Sequence, residues 1–255
     1  MENEEKDFYN KIANKFGGYG FNNKKPEYTT EYINGEPEKI FKEKIMFLAD
    51  KNKKVLDVGC GDGIFAFNLA EYFMNIVGID ISEGLIEVAK EKQKELGIHN
   101  CEFSVQDAEN INFENDSFDL VFTRRGPTPY KEFYRLLKPG GYMCAINIGE
   151  KDTKPLQDVF GRGQGYGQSD VLKLNRDVKI LEEIGFKVVF AEEYFYKEYY
   201  PTYEEIDLFL QGVPIFKDFD SEKDRELLEK YVSENISEKG VELERHRYVL
   251  SALKE

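Results

Sequence analysis

The sequence lacks any long run of apolar residues, and it is short of cysteine, histidine and positive charge. It has three cysteines and two histidines in 255 residues, and 35 Lys and Arg residues stand against 49 Asp and Glu residues. No apolar run is long enough to span a bilayer, and the N-terminal segment is acidic where a signal peptide would be basic. These absences argue against a membrane protein or a secreted protein and predict a cytoplasmic location.

The pattern of cysteines gives no support to metal or disulfide chemistry. Cys60, Cys101 and Cys144 are scattered, with no C-x-x-C pair and no cluster of Cys and His. This is not the ligand spacing of a zinc or iron–sulfur site. We therefore expect three reduced, buried cysteines that pack as small apolar residues, and no metal site.

The net charge of −14 bears on the class of partner. Non-specific affinity for nucleic acids comes mainly from clustered Lys and Arg, so an acidic chain is a poor candidate for a large phosphate-binding surface. A local basic patch is compatible with this charge. RNA is therefore disfavoured as a partner relative to a small molecule, without being ruled out.

An apolar strand that ends in a glycine-rich loop is the most informative feature of the chain. Residues 55–63 read VLDVGCGDG. Glycines at alternate positions allow a sharp turn and a close approach of the backbone to a ligand, and the helix expected over Phe65–Phe73 points its positive end at that loop. A dinucleotide fingerprint would have its third glycine at position 64, where the chain has Ile64. The loop therefore predicts a nucleotide-type cofactor with a different motif.

A second acidic residue follows at the spacing expected for a ribose. The strand predicted over 76–80 ends at Asp80, roughly 20 residues after the loop, where a carboxylate can accept hydrogen bonds from two ribose hydroxyls. Two later blocks continue the pattern. They are VQDA at 105–108 and SFDLVFT at 117–123, the latter followed by YRLLKPGGY at 134–142.

Together these blocks resemble the class I S-adenosylmethionine-dependent methyltransferases, in particular the bacterial type 11 members. The resemblance implies S-adenosyl-L-methionine as cofactor and S-adenosyl-L-homocysteine as product. The cofactor-binding residues that it implies are Asp57, Gly59, Cys60, Gly61, Asp80, Ile81, Asp107, Ala108 and Thr123.

The resemblance also implies a role for most of these residues. Asp57 would lie near the amino group of the cofactor, and the backbone of residues 59–61 would pass under its methionine part. Asp80 would hold the ribose, and Ile81 would lie against the adenine. Asp107 would meet the adenine amino group, and the backbone N–H of Ala108 would meet the ring.

The chain is expected to form one domain over residues 1–255. Strands and helices alternate over 53–149, which predicts a Rossmann-like, doubly wound and mostly parallel sheet with helices on both faces. The resemblance adds seven strands and an antiparallel last strand, inserted between the fifth and the sixth. We expect an N-terminal helical cap or lid at 1–50, a mobile loop at 150–168 and a small helical insertion at 201–240.

The acceptor should bind at the carboxyl ends of the parallel strands. Our candidates on this side are Tyr19, Arg124, Arg125, Arg162, Tyr200 and His246. Each has a structural alternative. His246 is either a base or donor for the acceptor or a packing residue, the arginines bind an anion or pair with local carboxylates, and Tyr200 belongs to an aromatic stretch typical of strand packing.

Three functions fit the sequence. The favoured one is a methyltransferase that acts on a small molecule, because the surface is acidic, the chain is compact and the segments around Tyr19 and Arg162 are candidates for a lid. The chain also lacks the N-P-P-Y tetrad that accompanies methylation of exocyclic amines in relatives that act on nucleic acids. The alternatives are an RNA (rRNA or tRNA) methyltransferase and a non-catalytic S-adenosylmethionine-binding protein. No catalytic residue is assigned, since alignment of the two reacting atoms can suffice. The oligomeric state stays open.

Overall fold

The computed structural model describes residues 2–18, 25–167 and 171–255, and its strands form a single sheet. The strands are β1 (Thr29–Tyr32), β2 (Lys54–Val58), β3 (Asn75–Asp80), β4 (Cys101–Val105), β5 (Phe118–Arg124), β6 (Leu137–Ile148), β7 (Phe186–Tyr200), β8 (Ile236–Ser237) and β9 (Gly240–Lys254). The helices are α1 (Glu2–Phe16), α2 (Pro37–Phe47), α3 (Ile64–Phe67), α4 (Glu83–Leu96), α5 (Tyr130–Leu136), α6 (Lys154–Phe160), α7 (Lys173–Ile184), α8 (Tyr203–Gln211) and α9 (Arg225–Asn235).

The sheet has the predicted doubly wound arrangement. Its order is β1-β7-β9-β6-β5-β2-β3-β4, with β8 paired to β9. Strands β4, β3, β2, β5 and β6 run parallel, and β9 runs antiparallel between β6 and β7. The Rossmann-like α/β fold with an antiparallel last strand is therefore confirmed.

The number of strands was predicted incorrectly, because the described residues form nine strands and not seven. The two additional strands are β1 and β8. Strand β1 has the polar sequence TTEY at one edge of the sheet, and β8 is two residues long. Neither shows the alternation of apolar and polar residues by which a strand is recognised in a sequence.

Helices cover both faces of the sheet. Phe41 and Ile45 of α2 are fully buried in a core shared with α3 and α4, while Phe133 of α5 and Leu181 of α7 are fully buried in a core on the opposite face. Burial of each such side chain stabilises the fold by about 1.5 to 3 kcal/mol. The three cysteines are buried and unpaired, as expected.

A third core lies outside the parallel sheet. It joins α1, α6, α8 and α9 to the far ends of β7 and β9, with Ile12, Leu156, Ile206 and Leu228 almost completely buried in it. The segments expected as an N-terminal cap and as a small helical insertion thus pack on each other. We name this assembly of α1, α6, α8 and α9 the cap.

The helix after the glycine loop is much shorter than the predicted span Phe65–Phe73. Helix α3 ends at Phe67, and a 3₁₀ turn follows at Ala70–Tyr72. The side-chain amide of Asn100 donates to the carbonyls of Ala70 and Phe73, at 2.7 and 3.2 Å, which satisfies these groups without a longer helix. A four-residue helix has only a small dipole, so the loop relies on its own N–H groups.

Other boundaries also differ from the predictions. The segment 150–168, expected as a loop, contains α6, and turns follow over the glycines at 161–167. The sequence predicts a helix from Ser169 to Ile184; in the structure α7 begins at Lys173, with Leu172 as its N-cap, and residues 168–170 lie outside the described part. The strands that the sequence predicts over Phe186–Tyr196 and Arg245–Leu253 are longer in the structure, where β7 and β9 pair from Phe186↔Lys254 to Tyr200↔Val241. No helix among the described residues combines the length and the apolar character needed to cross a bilayer.

Candidate cofactor and acceptor site

The predicted cofactor residues lie at the carboxyl ends of four neighbouring strands. Strands β5, β2, β3 and β4 are adjacent in that order, and Val58 is in register with both Ile79 and Thr123. Asp80 is in register with Val105, directly before the block that contains Asp107. Residues separated by up to 66 positions in the sequence (57 to 123) are therefore brought to one edge of the sheet.

The glycine loop has the backbone conformation that its sequence predicts. The φ angles of Gly59, Gly61 and Gly63 are +75°, +55° and +76°, a region that other residues rarely adopt. The N–H groups of Gly59 and Cys60 both donate to the carbonyl of Ile79, at 2.9 and 3.0 Å. The loop is thereby tied to the end of β3.

Asp80 holds the loop as well as facing the ligand edge. One carboxylate oxygen accepts from the N–H of Gly61 and the other accepts from the N–H of Ser82, each at 2.9 Å. Burial raises the pKa of Asp80, and these two hydrogen bonds act in the opposite direction. Each oxygen keeps a further lone pair, so the side chain can still accept hydroxyl groups. This second, structural task of Asp80 has no signal in a local motif.

Asp57 is the least satisfied carboxylate of the edge. It is 2% exposed, and no hydrogen bond from the described residues reaches its side-chain oxygens. Burial raises the pKa of Asp57 to about 8, the neighbouring Asp80 adds to this effect, and Arg124 opposes it. A ligand that brings a positive charge to this carboxylate would offset the cost of ionising it.

The remaining predicted cofactor residues surround these two carboxylates. Asp107 accepts from the N–H of Glu109 at 2.9 Å, which makes a tight turn after β4, and Ala108 is buried beneath it while Ile81 is half-buried. Thr123 is fully buried, and within the described part of the chain its hydroxyl has no hydrogen-bond partner.

A cleft opens beside this edge and continues toward two arginines. Its empty volume is about 730 Å³, open solvent included. It is lined by Lys25, Asp57, Gly59, Cys60, Gly61, Asp62, Ile64, Phe65, Arg124 and Arg125. Predicted cofactor residues and two predicted acceptor-side residues thus share one cleft. Lys25 and Phe65 were missed, because neither belongs to a motif.

The two arginines of the cleft contact a carboxylate from another part of the chain. Arg124 Nε lies 2.8 Å from Glu38 Oε2, and Arg125 Nε lies 3.5 Å from Glu38 Oε1. The guanidinium of Arg124 also lies over the ring of Phe65, 5.4 Å from its centroid. The sequence left two interpretations of these arginines, anion binding and pairing with a local carboxylate. The structure shows the second, the pairing with Glu38.

His246 lies near the carboxyl edge but is buried away from the cleft lining. It is 1% exposed and stacks on Phe195, with ring centroids 4.3 Å apart. Its Nδ1 accepts from the N–H of Lys151 at 3.2 Å, and its Nε2 lies 3.1 Å from a carboxylate oxygen of Glu193. Burial lowers the pKa of His246, although Glu150 and Glu193 act against this.

The other acceptor-side candidates are not brought to the cleft lining. The hydroxyl of Tyr200 is buried and donates to Glu198 at 2.9 Å. Arg162 pairs with Asp224 at 2.9 Å and with Asp218 at 3.3 Å inside the cap. Tyr19 lies outside the described residues.

Comparison with known proteins agrees with this architecture. Residues 49–200 match a family model described as "Methyltransferase domain". Phosphoethanolamine N-methyltransferase 3 of Arabidopsis thaliana is 32% identical over 152 residues, which are 55% of this chain and 30% of that protein. Demethylmenaquinone methyltransferase of Listeria welshimeri is 34% identical over 120 residues, 43% of this chain and 51% of that protein. The matches therefore span about a third to a half of these relatives.

Among solved structures, a SAM-dependent methyltransferase from Aquifex aeolicus superimposes with a TM-score of 0.51 and 19% sequence identity. The match covers 86% of this chain and 90% of that one, and it shows the fold alone. The family match covers more than half of the chain and includes the glycine loop, Asp80, Asp107 and Thr123. The chain belongs to the class I S-adenosylmethionine-dependent methyltransferases, and S-adenosyl-L-methionine is its cofactor.

Proposed function

We propose that this methyltransferase acts on a small-molecule acceptor that binds in the cleft beside Arg124 and Arg125. The observation that supports this most is that Asp57, the glycine loop and these two arginines line the same cleft. Two of the relatives are named for small acceptors, phosphoethanolamine and demethylmenaquinone.

The residues of the carboxyl edge fit the parts of the cofactor. Asp57, buried and without a hydrogen-bond partner among the described residues, suits the ammonium group, and Asp80 keeps free lone pairs for the ribose hydroxyls. Asp107 and the N–H of Ala108 are assigned to the adenine, with Ile81 against the ring. When bound, the cofactor supplies a sulfonium methyl group that an acceptor nucleophile can displace.

The contribution of the protein to the reaction is then one of alignment and exclusion of water. The cleft holds both partners on one side of the sheet, so that the acceptor atom can meet the methyl group in line. Burial of His246 under Phe195 gives no support to a role as general base, and we assign no such residue.

The RNA alternative gains little from the structure. Arg124, Arg125 and Arg162, the residues that motivated it, each contact a carboxylate, and the chain as a whole is strongly acidic. Salt-dependent binding of bulk RNA would be its signature. The non-catalytic alternative would show cofactor binding without turnover on any acceptor.

The first experiment is calorimetric titration with S-adenosylmethionine and S-adenosylhomocysteine, with NAD as control. We expect binding of the first two and none of NAD. Transfer of a radioactive methyl group from labelled S-adenosylmethionine to a panel of small acceptors then tests catalysis. Failure to bind either compound would refute the proposed site, and transfer to RNA alone would refute the small-molecule assignment.

A further inference from the structure

An ionic cluster begins in the cleft and continues into the buried part of the protein beside it. It contains four guanidinium groups and three carboxylates, from Arg124, Arg125, Arg245, Arg247, Glu38, Asp152 and Glu198. Arg245 bridges two carboxylates, with Nε 3.0 Å from Asp152 and Nη1 2.5 Å from Glu198. Arg247 Nη1 lies 2.5 Å from the same oxygen of Asp152. We call these seven residues the arginine cluster.

The cluster is continuous from the cleft to its buried end. Glu38 pairs with both arginines of the cleft, and the charge of Arg247 also contributes to lowering its pKa. The charges of Arg125, Arg245 and Glu198 all act on the pKa of Tyr28, so this residue lies near members from both parts of the cluster. The backbone also brings Arg125 and Arg247 close together. The N–H of Arg125 donates to the carbonyl of Ile146 at 2.8 Å, and Ile148, two residues further along β6, is in register with Arg247.

The charges of the cluster do not balance. Four cationic groups face three anionic ones, and two of the cations, Arg245 and Arg247, are 7% and 1% exposed. Lys25 adds a further positive charge on the wall of the cleft. An excess charge removed from water is costly unless an opposite charge compensates it. Among its seven members the guanidinium groups therefore outnumber the carboxylates, which favours the binding of a further anion.

Two guanidinium groups of the cluster keep unused hydrogen-bond donors. Arg125 Nε and Arg247 Nε are buried, and neither has a hydrogen-bond partner within the described residues. The contact of Arg125 with Glu38 is an ion pair at 3.5 Å, longer than the 2.8 Å of Arg124 with the same residue. Of the two arginines that line the cleft, Arg125 therefore has the weaker hold on Glu38.

We propose that the acceptor of this enzyme carries an anionic group, a carboxylate or a phosphate, that binds to Arg125 at the open end of the arginine cluster. A guanidinium binds both kinds of anion through two parallel hydrogen bonds. Glu38 competes for the same guanidinium and occupies part of its donor capacity when no acceptor is present. This inference rests on the proposed function and adds the chemical class of the acceptor.

The binding test uses simple anions on the protein saturated with S-adenosylhomocysteine. Inorganic phosphate and acetate are titrated separately at constant ionic strength. We expect saturable binding of at least one of them. Arg125→Gln should weaken it about tenfold, Arg125→Lys should weaken it less, and Glu38→Gln should strengthen it several-fold, because a competing carboxylate is removed.

A matched control separates this site from general charge effects. Arg225 on α9 is 61% exposed in its side chain, pairs loosely with Glu229 at 3.9 Å, and has no contact with the cleft. Arg225→Gln removes the same charge and should leave anion binding unchanged. Equal losses in the two variants, or no effect of Arg125→Gln and Glu38→Gln, would overturn the proposal.

Turnover tests the same inference with real acceptors. Pairs of compounds that differ only in the anionic group are offered, each carboxylic acid beside its primary amide and each phosphomonoester beside its free alcohol. We expect methyl transfer to the acidic members, with the preferred pair type distinguishing carboxylate from phosphate. Equal or better transfer to the neutral members would overturn the proposal.

The affinity for S-adenosylhomocysteine is measured for every variant. If the wild-type protein does not bind it, the proposed function fails. If it binds and neutral acceptors are methylated, only the anionic class of the acceptor fails. Loss of cofactor affinity in Arg125→Gln would identify an effect on the cofactor end of the cleft and would count against an acceptor role.

Discussion

Replacement of Asp57 by asparagine should stabilise the protein and weaken cofactor binding at once. The carboxyl is buried without a hydrogen bond from the described residues, and its pKa is raised from 3.8 to about 8. The pKa is higher in the folded state than in the unfolded state, so the unfolded chain releases this proton first. Stability therefore falls as the pH rises from about 4 to about 8.

The size of the effect follows from the two pKa values. A tenfold change in an ionisation equilibrium corresponds to about 1.4 kcal/mol. At pH 7, a carboxyl with a pKa of 3.8 in the unfolded chain and about 8 in the folded protein lowers the free energy of unfolding by roughly 4 kcal/mol relative to a neutral group. The buried amide of asparagine has donors of its own to satisfy, at a cost of about 1 to 3 kcal/mol. A net gain on the order of 1 to 3 kcal/mol remains, and it should grow with pH up to about 8.

The same substitution removes the negative charge proposed to face the cofactor ammonium. Loss of a charge-assisted hydrogen bond of about 1.5 to 3 kcal/mol weakens binding of S-adenosylhomocysteine by roughly 10-fold to 150-fold. Urea unfolding from pH 5 to pH 8.5 and calorimetric titration measure the two effects. The matched control is Asp119→Asn, because Asp119 is paired with Lys138 at 2.9 Å and accepts from the N–H of Lys54 at 2.8 Å. That variant should lose stability and keep its cofactor affinity. A less stable Asp57→Asn protein with unchanged affinity would refute the reasoning.

Three further predictions concern the loop, the sheet and the N-terminal helix. Asp80→Ala should weaken S-adenosylhomocysteine binding in calorimetry by about 1.5 to 3 kcal/mol per lost bond, and unchanged affinity would contradict the ribose assignment. Gly149→Ala should unfold the protein or lower its free energy of unfolding in urea by more than about 3 kcal/mol, since a Cβ there would lie 2.1 Å from His246 Nδ1. The control is Gly161→Ala, where φ is +64° and no atom lies within 4 Å of such a Cβ, and it should lower the free energy of unfolding by only about 1 kcal/mol. Asn10→Ala removes the acceptor for two donors at the start of α4 and should lower the free energy of unfolding by about 1 kcal/mol. Amide hydrogen exchange should become faster in α1 alone, and an equal increase throughout the chain would contradict the docking of α1 on α4.

The parts of the fold that were predicted correctly depend on local signals. Cap residues in the sequence predict that Ser82 begins α4 and that Gly97 ends it. In the structure Ser82 accepts from the N–H of Leu85 at 3.2 Å, and Gly97 ends the helix with a φ of +64°. The convergence of Asp57, Asp80 and Asp107 follows from alternating strands and helices, because parallel strands all end at the same edge.

The parts that were missed depend on distant residues. Glu38 and Arg124 are 86 positions apart, so no spacing rule connects them. Asn100, more than 25 positions further on, donates to carbonyls that follow the short helix α3, and no local pattern announces this contact. His246 lies at the expected edge, but a strand pattern does not tell which neighbour covers a side chain, and Phe195 covers this one.

Helix α1 connects the cofactor edge of the sheet to the core of the cap. Its Asn10 accepts from Ser82 Oγ at 2.7 Å and from the N–H of Gly84 at 3.2 Å, next to the carboxylate of Asp80, while Ile12 is 1% exposed in the core of the cap. If a bound cofactor strengthens the docking of α1 on α4, thermodynamic linkage requires that a docked α1 tighten cofactor binding by the same factor. An acceptor that strengthens the same docking of α1 would then raise cofactor affinity, and the two ligands would bind with positive cooperativity.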